Sequence, residues 1–249
     1  MTYRIITLFL SLAFATTVSA ESFLRSLEYD AMLGFSLGGT APVGLPSSIR
    51  HLNSYRPAPN FRLGAGAAHM FSSSWGISSA LIVENKGMKT DARVEDYHMT
   101  MTRGGEQLEG RFWGDVETNV TEWMFTVPVQ AAFKTGDFRF RLGPYVSLLF
   151  DKRFKGHAHD GYLRVGNPTG AKMIIGNDSE TNGQYNFSSN MRSWQWGMDL
   201  GADWYVRRRL GIAADLSWGL SGVHKSSFKT IEQTLYPIYG TLALIYRIH

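Results

Sequence analysis

The sequence predicts an all-β protein: an eight-stranded antiparallel up-and-down transmembrane β-barrel with four long outer loops and short periplasmic turns. Three observations predict it. Bulky apolar residues alternate with small or polar ones along eight separate runs. The connections between those runs are long and short in strict alternation, as when one rim meets the periplasm and the other faces outside. The bulky face of each run also gathers aromatic residues near its ends, the pattern of an interfacial belt.

Residues 1–20 precede the first run and read as a secretory signal peptide. Arg4 supplies the charged start, Ile5 to Phe14 an apolar core, and Val18-Ser19-Ala20 a small-residue cleavage site. The core is shorter than the ~20 apolar residues that span a bilayer. Cleavage before Glu21 leaves a single domain over residues 21–249 with 24 basic and 21 acidic side chains.

The first run sets Tyr29, Ala31, Leu33, Phe35 and Leu37 against Asp30, Gly34, Ser36 and Gly38. The second sets Phe61, Leu63, Ala65, Ala67 and Phe71 against Arg62, Gly64, Gly66 and Ala68. The third carries Trp75, Ile77, Ser79, Leu81 and Val83 against Gly76, Ser78, Ala80 and Glu84, and the fourth reads Trp123, Phe125, Val127, Val129, Ala131, Phe133. In the fifth, Phe138, Phe140, Leu142, Val146, Leu148 and Phe150 oppose Arg139, Arg141, Gly143, Tyr145, Ser147 and Asp151. The sixth opposes Trp194, Trp196, Met198, Leu200, Ala202 and Trp204 to Gln195, Gly197, Asp199, Gly201 and Asp203. The seventh opposes Leu210, Ile212, Ala214, Leu216 and Trp218 to Gly211, Ala213, Asp215 and Ser217, and the eighth runs from Ile238 through Gly240, Leu242, Leu244 and Tyr246 to Ile248. Pro128 and Pro144 fall inside runs, where a closed ring has no edge to hide a missing N–H.

Short connections are expected at 72–74, 134–137 and Arg207-Arg208, and long ones over about 41–60, 85–119, 152–191 and 222–235. Small residues on the polar face suit the narrow interior of eight strands, so the bulky face is assigned to lipid. The expected aromatic girdle is Trp75, Trp123, Phe138, Phe150, Trp194, Trp204, Trp218 and Tyr246. The inward face collects Arg62, Glu84, Arg139, Arg141, Asp199, Asp203 and Asp215, expected to pair as a neutralising plug because buried charge needs partners.

Composition excludes other classes. The 249 residues hold no cysteine, so there is no disulfide framework, thiolate metal site or cysteine nucleophile. Acidic and basic residues interleave, which leaves no stripe for nucleic acid. Gly34-Phe35-Ser36-Leu37-Gly38 matches a nucleophile pattern but lies along a strand rather than at a strand–turn–helix elbow. His157-Ala158-His159-Asp160 offers three metal donors without a fixed frame or fourth ligand. No catalytic, cofactor or metal site is therefore assigned. A small lipid-modifying enzyme using His98, His157, His159 or His224, and a narrow pore, are lesser alternatives.

The stretch Gly34 to Pro46, the run Glu84-Asn85-Lys86-Gly87-Met88-Lys89-Thr90-Asp91, the run Asp160-Gly161-Tyr162-Leu163-Arg164 and the closing Tyr236-Pro237-Ile238-Tyr239 resemble the Bacteroidetes outer-membrane β-barrel family labelled PorT-like. The resemblance spans about residues 28–249. It implies an eight-stranded outer-membrane barrel, and, through the family's founding member, an accessory role in a secretion or assembly machine. Such barrels usually finish on an aromatic residue, whereas this chain ends on His249.

The expected function is a non-enzymatic structural or interaction role in the bacterial outer membrane, exerted through the long loops. Its partners would be membrane lipid and lipopolysaccharide, with a protein partner reached through loops 85–119 and 152–191. The first of these carries five basic and seven acidic residues, the second five and three. Lys86, Lys89, Lys152, Arg153, Lys155, Arg192, Lys225 and Lys229 are the candidate contacts to lipopolysaccharide phosphates.

Overall fold

A computed structural model describes residues 23–44, 46–228, 230–231 and 233–248; the expected signal peptide lies outside them. The strands are β1 (Glu28–Pro42), β2 (Ile49–Pro57), β3 (Asn60–Met70), β4 (Trp75–Arg103), β5 (Glu106–Thr135), β6 (Phe138–Val165), β7 (Lys172–Ile175), β8 (Gly183–Asn186), β9 (Trp194–Trp204), β10 (Leu210–Gly219) and β11 (Leu235–Arg247). All pairings are antiparallel. Eight strands close a ring: β1–β3–β4–β5–β6–β9–β10–β11 and back to β1. These eight fall on the eight alternating runs.

Alternation fixes which face is which. Along β6, Phe138, Phe140, Leu142, Val146, Leu148 and Phe150 point out of the ring and are exposed, while Arg139, Arg141 and Ser147 are buried inside. An apolar exterior around a charged interior inverts the order of a water-soluble domain. The ring tolerates both prolines. Opposite Pro144, the β5–β6 ladder lacks pairs at Val129 and Gln130, then resumes at Ala131–Leu142 in the same register. Near Pro128, the β4–β5 ladder omits Ala80 and Leu81 and resumes at Ile82–Thr126.

Beyond one rim, β4, β5 and β6 continue without a break. They are 29, 30 and 28 residues long, and the parts past the rim, residues 85–103, 106–122 and 151–165, run on for about 50–60 Å along the strand at ~3.3 Å per residue. This corrects three expected loops. Residues 85–119 form the upper β4–β5 hairpin, residues 152–191 contain upper β6 with β7 and β8, and residues 41–60 contain β2, which pairs with β4 above the end of β3. The physical reason is that cross-strand charge and hydroxyl pairs hold this part of the ladder. Thr90 faces Thr118, Arg93 faces and pairs with Asp115, and Lys89 reaches Glu117 diagonally at 2.8 Å, so no lipid-facing stripe reveals it. Gly104 and Gly105, with φ of 58° and 86°, make the two-residue turn at its tip. At the rim, Trp123 pairs with Asp151 but Met124 with Leu149, so Phe150 is an extra residue in a bulge that re-aims β6.

Candidate binding site

The ring interior is filled. At its centre the Arg141 guanidinium donates to Asp203 at 2.7 Å, to Asp215 at 2.8 Å and to Gln130 at 3.0 Å. Toward the short-turn rim, Arg139 pairs with Asp203 at 2.8 Å and with Asp30 at 2.6 Å, and the Tyr205 hydroxyl donates to Asp30. Toward the other rim, Arg62 lies 3.5 Å from Asp199, 3.8 Å from Asp215 and 3.9 Å from Glu84. Glu84 also accepts from Thr126 and pairs with Lys86 at 3.3 Å. All seven residues expected on the inner face are there and form one contiguous network. The void left among Asp30, Met32, Gln130, Arg139, Arg141 and Asp203 is about 20 Å3, barely above the ≳ 10–15 Å3 needed to hold one water.

The network contains residues the runs did not assign. Lys86 was expected on the outer rim as a lipopolysaccharide contact. It is instead 2% exposed, inside the ring, with its ammonium over the Tyr145 and Tyr239 rings at 5.3 and 5.5 Å. The reason is parity: Glu84 faces inward and Lys86 lies two residues along the same face of β4. Glu122, fully buried and accepting from Gln195 at 2.7 Å, shares the inner face with Met124 one step from Trp123. Tyr205 joins it too, as does Asp30 from the polar face of the first run.

The other cationic candidates divide. Lys89 pairs with Glu117 at 2.8 Å. Lys152 donates to the Met191 carbonyl and to Ser193, Arg192 to the His224 carbonyl, and Lys225 to the Ser189 carbonyl, so these three tie the upper strands together. Arg153 pairs with Asp151 in the open, and Lys155 is exposed on the same outer face of β6. Lys229 lies outside the described residues.

All eight girdle residues point outward and are exposed. They form two rows. Trp75, Phe138, Trp204 and Tyr246 lie at the strand ends toward the short turns, where Phe138 pairs with Trp204 in register. Trp123, Phe150, Trp194 and Trp218 lie toward the extension. From Trp194 to Trp204 is ten steps, about 33 Å along a strand, or about 25 Å along the axis at the usual tilt, the height of a lipid-facing band.

Above the plug, one face of the extension carries its own apolar core: Met88, Val94, Met99, Met101, Phe112, Val116, Phe154, Leu163, Ile175 and Met191. Part of it is hollow. A chamber of about 640 Å3 is bounded by β1 from Gly38 to Pro42, by β2 from Ile49 to Tyr55, by Met88, Val94 and Met99 of β4, and by Phe154, Tyr185, Ile231 and Leu235. The opposite face of the same sheet is a charged ladder. There Arg93 clasps Asp115 with two nitrogens, and Asn53 donates to the same carboxylate. Burial works against the Asp115 charge, but those hydrogen bonds outweigh it and hold the carboxyl below the usual range.

His157 and His159 lie on β6, not in a loop. Donor atoms of Asp115, His159 and Asp160 fall within 4.8 Å of one another. Arg93 already occupies Asp115, and Asn177 donates to Asp160, so this group works as an ion-pair ladder. Ser36, the hydroxyl of the nucleophile-like pattern, is buried in the ring wall 2.7 Å from the Thr241 hydroxyl. His224 stacks edge-on against Phe154 at 4.7 Å and lies 4.9 Å from Phe228. Burial pushes its pKa down to about 4.

A family model agrees with this architecture. The family described as outer membrane protein beta-barrel domain matches residues 14–225. No curated protein matches the chain. Among solved structures, Ail, the attachment invasion locus protein of Yersinia pestis, is 10% identical, with 89% of this chain and 98% of that one covered and a TM-score of 0.37. OprG from Pseudomonas aeruginosa is 14% identical over 89% and 96%, with a TM-score of 0.34. Neisserial surface protein A is 9% identical over 90% and 97%, at 0.31.

Proposed function

The chain belongs to the outer membrane β-barrel domain family and is a protein of the outer membrane; from that premise we propose that it is a non-conducting, non-enzymatic binding protein whose barrel serves as an anchor. In this reading the eight-stranded ring spans the bilayer between its two aromatic rows. The short turns face the periplasm, and the upper parts of β4, β5 and β6 project from the cell as a rigid sheet. The Bacteroidetes affinity and the secretion-accessory role that the PorT-like resemblance implies are the alternative.

The observation that carries the proposal is the contrast between the two volumes. The ring holds a void of about 20 Å3 behind a continuous ion-pair network, whereas the projecting sheet encloses about 640 Å3. A ring that narrow and charged is a strut, while a chamber of several hundred Å3 is the size that holds a small ligand. Ser36 has a threonine for a neighbour, not a base, which favours binding over hydrolysis. In this reading Arg153 and Lys155, exposed just beyond the upper aromatic row, would meet lipopolysaccharide phosphates.

Planar-bilayer recording tests the anchor reading. The folded protein, checked by heat-modifiable migration, inserts without discrete conductance steps. Steps that disappear on boiling the sample would show that the network opens and would make the pore the better reading.

A further inference from the structure

The wall of the ring is incomplete on one side from the level of the upper aromatic row. The β1–β3 ladder ends at Ser36–Asn60, yet β1 continues to Pro42, paired with β11 alone. β2, which takes over from β3 on the β4 side, pairs with β4 only. The upper part of β1 and β2 therefore face each other without a ladder. Among the described residues one hydrogen bond crosses between them: the Tyr55 hydroxyl donates to the Gly38 carbonyl at 2.6 Å. Just above, the Thr40 N–H, which a neighbouring strand would otherwise engage, points at Met88 Sδ at 3.2 Å. β1 lies so close to Met88 that a Cβ at Gly39 would come within 2.7 Å of the sulfur.

The level of this gap is fixed by register. Gly39 pairs with Ile238, and Ile238 pairs with the belt residue Trp218. Ile238 is exposed on the lipid side of β11 and also lines the chamber. Phe35 and Phe61, packed edge to face at 6.3 Å on the outer surface, form the lower lip. The apolar exterior is thus continuous with the apolar chamber through the β1–β2 gap. Inside, Met88, Val94, Met99, Val116 and Phe154 present hydrocarbon and thioether surface, and methionine adapts its shape to an irregular occupant.

We infer that the gap between β1 and β2 admits an acyl chain of an outer-leaflet lipid sideways into the chamber, so that the ligand class of this binding protein is a membrane amphiphile. This rests on the reading of the ring as a membrane anchor with the extension outside. The chain would leave the leaflet at the Ile238 level, rise past Tyr55 and lie against Met88 and Val94, with its headgroup left in the interface. Burying hydrocarbon there is favourable at roughly 25 cal/mol per Å2.

The test is photocrosslinking in vesicles with a palmitoyl phospholipid carrying a diazirine on the chain, mapped by peptide mass spectrometry. Label is expected on chamber peptides around Met88–Met99 and, independently, on belt peptides around Phe125 and Phe150. Ala92→Trp, which fills the chamber from β4, is expected to lower chamber label about tenfold, equivalent to ~1.4 kcal/mol of lost binding, with belt label unchanged. Belt label with no chamber label in the unaltered protein overturns the inference and leaves the membrane anchor standing. Loss of both overturns the anchor as well. Chamber label from a water-soluble diazirine alcohol but not from the phospholipid overturns the lateral route.

Discussion

Arg141 Nη2 stands 2.7 Å from Asp203 Oδ1 inside the ring, with both side chains almost wholly buried. The pair links the neighbouring strands β6 and β9 on the inner face, and Asp215 on β10 shares the same nitrogen. Replacing Arg141 with methionine leaves buried Asp203 with Arg139 alone and buried Asp215 with only the Arg62 contact at 3.8 Å. Breaking such a network typically costs about 3–5 kcal/mol. The urea midpoint of the heat-modifiable band in detergent is expected to fall accordingly. The exposed Arg153–Asp151 pair is the control, because Arg153→Ser costs at most about 1 kcal/mol.

The tip of the extension depends on two residues with left-handed backbone. Gly104 and Gly105 have φ of 58° and 86°, a conformation that costs an L side chain about 1–2 kcal/mol. Gly104→Val with Gly105→Val is expected to fray the hairpin. Amide exchange should quicken over residues 100–109 while the ring amides of β9 and β10 keep their protection.

Acid should loosen the segment around His224 where it packs on Phe154. His224 is packed against Phe154 and Phe228 with a folded pKa of about 4, below the ordinary histidine value of about 6.5. The group is therefore neutral in the fold. Its contribution to stability is present above pH ~6.5 and is lost as pH falls through about 4. Hydrogen exchange over residues 222–228 should accelerate between those values, and His224→Phe should remove the acceleration.

Lipopolysaccharide contact can be separated from general stability. Arg153→Ser with Lys155→Ser leaves the chamber and the network untouched. It is expected to lower the melting temperature in lipopolysaccharide-containing micelles and not in neutral detergent. Equal shifts in both media would remove these two residues from the lipid surface.

The spanning part of the fold was legible because the bilayer imposes it. Lipid on one side and a narrow interior on the other force bulky and small residues to alternate, and the alternation from Phe138 to Phe150 shows both faces at once. Above the rim that constraint ends. Lys89, Thr90 and Asp91 face Asn119, Thr118 and Glu117, a polar ladder that reads like a loop when only apolar periodicity is scored. One signal was available: Gly104-Gly105 is a two-residue hairpin turn, and it joins β4 to β5 directly. Lys86 was misplaced for the same reason, since ending the strand at Glu84 hid the fact that the inner face continues for another step. The chamber was not legible at all. It arises where β3 gives way to β2 and β1 is left with one neighbour, a matter of which strand pairs with which.

The most direct test of the central claim is depth-dependent quenching of single-tryptophan variants by lipids brominated at defined carbons. The protein carrying only Trp194 and the protein carrying only Trp204 should each be quenched by bromines near the headgroup, from opposite leaflets. The protein carrying only Trp113, which stacks on Tyr162 at 5.2 Å in the extension, should not be quenched. Equal quenching of Trp113, or none at Trp194 and Trp204, would contradict a ring that spans the membrane with its sheet outside.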